Sequence, residues 1–144
     1  MNTILLLLHL LGFGMGFAVS LANNLVMMLL AKATPEQAAG LRRFPPVMAR
    51  FGDIGLVLLW LTGITLLFTK YGGIAGIAAL PNPEAFWAKI ICVLLVTALV
   101  GLIHATVAKM NRGDMSVAGR MPTLGKIGAI LLLLILVFAV VAFE

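Results

Sequence analysis

A chain of 144 residues that is 62% hydrophobic, only 10% charged and has a mean hydropathy of +1.17 lies outside the compositional range of soluble domains. In a soluble protein a net charge of +5 would point to nucleic acid; in a membrane-embedded chain it reads as a topology signal, and no nucleic-acid partner is expected. The single cysteine, Cys92, excludes an internal disulfide.

Four apolar runs account for the composition, at about 4–30, 51–68, 86–108 and 124–143. Each reaches the roughly 18 to 20 residues needed to cross a hydrocarbon core of about 30 Å. Backbone groups in lipid must find partners within their own segment, so the runs are expected to be helices. The predicted fold is all-α, an integral membrane four-helix bundle forming a single transmembrane domain over 1–144.

The first run contains LLLLHLLGFGMGFAVSLANN. His9, Gly12, Gly16, Ser20 and then Asn23 or Asn24 recur at spacings of three or four and share one helix face. Small residues let a neighbouring backbone or a flat ligand approach closely. An ionisable histidine on the same face is costly in lipid and marks a candidate site. With no Lys or Arg in its first eight residues and an apolar stretch lasting to Leu30, the run is expected to be a retained span rather than a cleaved signal.

The first connection, AKATPEQAAGLRRFPPVMAR, predicts a short interfacial helix capped by Thr34, begun at Pro35 and ending near Gly40. A turn is expected at Pro45-Pro46, and an ion pair between Arg50 and Asp53 at the entry to the second run. There, Gly52, Gly55, Leu59 and Gly63 make a second small face, expected to meet the first helix. Trp60 lies mid-span, where its indole N–H needs a partner or a cofactor edge.

The next connection, KYGGIAGIAALPNPEAFW, is rich in glycine and proline and is expected to lie against the membrane surface. Tyr71 and Trp87 occupy aromatic-belt positions, and Asn82-Pro83-Glu84 opens the third run. That run carries Trp87, Lys89, Thr97, Gly101 and His104. At about 1.5 Å per residue, His9 and Lys89 fall at nearly the same depth, while His104 lies roughly 22 Å further along. His9 and Lys89 are therefore the matched pair. The competing role for Lys89 is a side chain that snorkels to the interface, and that for His104 is an interfacial residue bonded to a backbone carbonyl. The fourth run, GAILLLLILVFAVVAF, has no polar side chain and is expected to pack and face lipid.

Eight of the ten Lys and Arg residues (Lys32, Arg42, Arg43, Arg50, Lys109, Arg112, Arg120 and Lys126) flank or fill the first and third connections. By the positive-inside rule these loops are expected to be cytoplasmic, with the N and C termini outside. The eight methionines are scattered, only Met27-Met28 being adjacent, which reads as apolar filler rather than a thioether copper site. No phosphate loop, nucleophile triad or zinc motif is present.

An early histidine, the segment RFGDIGLVLLWLTG (Arg50 to Gly63) and Trp87-Ala88-Lys89 opening the third run resemble the small four-helix membrane proteins of the CopD-like and HemJ-like (protoporphyrinogen oxidase-type) group. The RFG…LTG segment looks like the CopD membrane domain; the early histidine and W-x-K look like the HemJ type. That resemblance implies haem b held by His9 and Lys89, with Gly12 and Gly16 admitting the macrocycle and Trp60 and Trp87 lining it. It implies electron transfer or oxidation in a bacterial inner (plasma) membrane, with a quinone or other redox partner and a homo-oligomer or larger complex. HemJ-type proteins carry an arginine-ended Leu-Pro-Arg run after the histidine. This chain reads GFAVSLANNLVMMLLAK there, so haem binding rather than protoporphyrinogen oxidation is the expectation. The alternatives are a non-catalytic accessory subunit, from the small size and plain fourth run, and copper handling, from the CopD likeness.

Overall fold

The computed structural model describes residues 2–144, and among them no strand occurs. Five α-helices follow one another: α1 (Asn2–Leu30), α2 (Pro35–Leu41), α3 (Phe44–Tyr71), α4 (Pro83–Asn111) and α5 (Met121–Phe143). Short 3-10 helices, Ile74–Ala79 and Met115–Arg120, stand before α4 and α5. Four helical stretches are long and apolar enough to cross a membrane, as the composition required.

α2 is built as its sequence predicts. Thr34 accepts from the Gln37 amide, and the Gln37 side chain accepts from the Thr34 amide, a reciprocal capping box. The expected turn at Pro45-Pro46 does not form. Both prolines sit in the first turn of α3, where amide hydrogens have no intrahelical partner and the missing N–H costs nothing, so α3 starts seven residues before the apolar run does. Its far end is closed by Gly72 in the left-handed region at φ 70°, with its amide reaching the Leu67 carbonyl. α4 begins at Pro83 with Glu84 in its first turn, as Asn82-Pro83-Glu84 predicted, three residues before the apolar run. Asn82 does not cap it by side chain; its Nδ2 donates across to the Val141 carbonyl near the end of α5, 2.9 Å away.

α1 packs chiefly on α3 and α4 on α5, and the α1–α5 contact joins the two pairs. At one end Asn24 Nδ2 donates to the Ser20 carbonyl within α1 and to the Gly125 carbonyl of α5. At the other, Tyr71 stacks on Phe143 with centroids 5.6 Å apart. The 3-10 helix Ile74–Ala79 tucks Ile77 against Phe86 and Ala142 and seals that end. The main core, centred on Cys92, Val93, Val96, Leu132 and Ile135, is filled from α1 by Phe13 and Phe17 and from α3 by Leu59 and Trp60.

Outward faces are strongly apolar. Ile4, Leu7, Met28, Leu61 and Phe68 are each more than 60% exposed. Apolar area on that scale would drive association in water, so the natural environment of these faces is hydrocarbon. The chain is a multi-pass, lipid-contacting helical protein.

The α1–α3 seam depends on absent side chains. A Cβ built on Gly12 would stand 2.8 Å from the Gly55 carbonyl oxygen, and one on Gly55 would stand 2.8 Å from the Gly12 oxygen and 3.3 Å from the Gly16 amide nitrogen. The two backbones touch there, the small-residue packing typical of membrane helices.

Candidate functional site

His9 lies on the α1–α3 seam. Its Nδ1 is 2.9 Å from Thr62 Oγ1, and Thr62, only 4% exposed, is one of two buried polar residues among those described. A threonine hydroxyl has one proton to give. Thr62 gives it to the Leu58 carbonyl at 2.6 Å, with the Leu59 carbonyl beside it at 3.4 Å. The hydroxyl must then accept from His9, which places the imidazole proton on Nδ1 and leaves Nε2 as the ring's lone-pair nitrogen. Gly63 completes the seat: a Cβ built there would lie 3.0 Å from His9 Cε1, so a side chain would displace the ring.

Lys89 is brought to the same end of the bundle, within electrostatic range of His9, though no hydrogen bond joins the two. Its Nζ lies 4.3 Å from the centroid of the Phe86 ring and 5.3 Å from that of Phe143. Ring faces carry negative potential, so the two rings attract a cationic group placed over them. Trp87 meets Phe86 edge to face at 6.4 Å and is 45% exposed, outside the core.

The remaining sequence-selected residues take other places. Gly12 is used in the contact with α3, its Cβ position 2.8 Å from the Gly55 carbonyl oxygen, whereas a Cβ on Gly16 would have nothing within 4 Å. Trp60 has its indole N–H donated to Thr97 Oγ1 at 3.0 Å, and Thr97 donates in turn to the Val93 carbonyl. The indole is thereby satisfied within the protein.

His104 is at the opposite end, as its position along α4 required. Its Nε2 donates to Asp53 Oδ1 on α3 at 2.8 Å, both side chains about half exposed. Asp53 is thus paired across the bundle rather than with Arg50. Position explains the choice: Asp53 and Trp60 are two helical turns apart on α3, as are His104 and Thr97 on α4, so both bridges lie along one antiparallel α3–α4 seam. The sequence shows Thr62 beside Gly63 on the second run without identifying it as the partner of His9. The adjacent Thr62-Gly63 pair, facing a histidine on a small-residue helix, was the available signal.

Among the described residues no three or more His, Cys, Asp and Glu side chains cluster as a metal cage. The donor set at this end is therefore one oriented imidazole with a nearby amine. Compared with known proteins, the chain matches no family model, no curated protein and no solved structure.

Proposed function

We propose that this protein binds haem b through His9 in a bacterial inner membrane and serves in electron transfer or oxidation. The observation that carries the reading is the fixed imidazole: Thr62 accepts the hydrogen bond from Nδ1–H, and Nε2 is left to ligate. Metal-ligating histidines are regularly oriented this way, their other ring nitrogen donating to a neighbouring acceptor. Bound haem would supply one-electron chemistry at its iron. The chain's own contribution is to hold one imidazole in a single tautomer and to place a cation close by.

Lys89 would have two uses in this reading: a second nitrogen to help hold the haem, which requires the neutral amine, or a counter-charge for a carboxylate on the ligand. Its seat over Phe86 and Phe143 favours the second. Gly12 does not border the macrocycle, because α3 fills that side, while the open Cβ position of Gly16 leaves space beside α1. The redox partner would be a quinone or another membrane protein. The basic loops would face the cytoplasm, with both termini outside.

The deciding measurement is the visible spectrum of protein purified after haem-replete expression. The reading expects a Soret band that is lost or displaced in His9→Ala and retained in His104→Ala. No band, or one indifferent to His9, overturns it. The second reading, a non-catalytic subunit of a larger membrane complex, is favoured by the use of Gly12 for packing against α3. It expects co-purification with a partner at fixed stoichiometry and no chromophore.

A further inference from the structure

The net charge of this molecule is confined to one end. The end bearing the α1–α3 and α4–α5 connections holds eight of the ten cations against Glu36, Asp53 and Asp114, and Asp53 is engaged by His104. The other end holds Lys70 and Lys89 against Glu84 and Glu144. The whole net charge of +5 therefore resides at the first end.

A groove of about 530 Å³ opens at that end, where α1, α2 and α3 meet. It is a shallow groove, open to its surroundings rather than enclosed. Leu29, Ala33, Leu41 and Phe44 form apolar walls; Lys32 and Gln37 supply the polar edge, and Gly40 forms part of the floor. Arg42 and Arg43, both exposed, lie in the chain between Leu41 and Phe44. Leu29 and Phe44 are 47% and 55% exposed, so the groove runs on into the apolar, lipid-facing surface. Its α2 wall is preformed, since the Thr34–Gln37 capping box holds that helix without a ligand.

We propose that this groove seats one anionic phospholipid. The phosphate lies among Lys32, Arg42 and Arg43, and an acyl chain lies against Leu29, Leu41 and Phe44. Charge complementarity selects the head group, because each basic residue near a membrane surface favours anionic over zwitterionic lipid. The apolar walls select a lipid over a free anion. The site is at the opposite end from His9 and does not depend on haem.

The test is native mass spectrometry of the full chain, delipidated in detergent and titrated with phosphatidylglycerol or with phosphatidylcholine of the same acyl chains. Phosphatidylglycerol should be retained in preference, as one tightly held molecule. The triple variant Lys32→Gln, Arg42→Gln, Arg43→Gln should lower its retention roughly tenfold or more. A control triple at the same end, Lys109→Gln, Arg112→Gln, Arg120→Gln, removes equal charge away from the groove and should change retention by less than about twofold. Gly40→Leu keeps every charge and fills the groove; a Cβ there meets nothing within 4 Å, so the fold should tolerate it while lipid is lost. Equal losses in the two triples, equal retention of both lipids, undiminished retention in Gly40→Leu, or displacement by inorganic phosphate would each overturn the proposal.

Discussion

Thr62 on α3 accepts a hydrogen bond from His9 on α1 at 2.9 Å, having given its own proton to the Leu58 carbonyl. One hydroxyl thereby sets both the rotamer and the tautomer of the histidine. Thr62→Val keeps the shape and removes the acceptor. It should abolish the Nδ1-protonated preference of His9, read from ring nitrogen-15 shifts, and cost about 0.5–1.5 kcal/mol of stability. Thr62→Ser should retain both. An unchanged tautomer in the valine variant would show that Thr62 does not set it.

The α1–α3 contact makes a second prediction. Gly12→Ala inserts a methyl 2.8 Å from a backbone oxygen that cannot swing aside. It should force the helices apart and cost about 1–3 kcal/mol, the usual penalty of overpacking. Gly14→Ala, two residues away with nothing within 4 Å of the new carbon, should be neutral or slightly stabilising. Reversible unfolding in mixed micelles compares the two; equal effects would contradict the contact.

Asp53 and His104 should be coupled, and Arg50 should not belong to the pair. In a double-mutant cycle, Asp53→Asn and His104→Gln should show a coupling of about 0.2–1 kcal/mol, modest because both groups are half exposed. Arg50→Gln should leave that coupling unchanged. A cycle with no coupling, or one that follows Arg50, would return Asp53 to the ion pair expected from chain proximity.

In the connection before α5, Asp114 accepts from the Ser116 hydroxyl and amide, which hold its carboxyl below the ordinary carboxylate range, with Lys109 and Arg120 adding smaller attractions. A depressed folded-state value gives stabilisation that is present above the unfolded value and lost as pH falls through the folded one. The 3-10 turn it starts should therefore stay ordered through mild acid and loosen only below the usual carboxylate titration. Carboxyl carbon-13 titration and amide exchange at Ser116 measure this. Ser116→Ala should move the midpoint upward, and an unmoved midpoint would refute the cause.

Much of the architecture was legible without coordinates because lipid solvation is a strong and local constraint. Four long apolar runs leave the backbone no option but helix, and Thr34, Pro35 and Gln37 act within one turn of each other. The same locality explains why Gly55 was readable as part of a face that meets α1, and why His104 was separable from His9 by counting along α4. The misread points had competing local solutions. Pro45-Pro46 suits a turn and equally suits the first turn of a helix, and only the full course of α3 selects the helix. Arg50 is near Asp53 in the chain, yet His104 comes from 51 residues away with better geometry.

What sequence alone determined, then, is an all-helical membrane chain with His9 and Lys89 towards one end and a basic opposite end. Tertiary structure decided how the polar groups are used. Gly12 packs rather than making room, Trp60 is bonded to Thr97, and Thr62 orients His9, an arrangement with no trace in spacing. The physical reason is range. Hydrophobic transfer acts on whole segments and can be summed along a chain, whereas a hydrogen bond requires two atoms within about 3 Å, a condition that only helix packing satisfies.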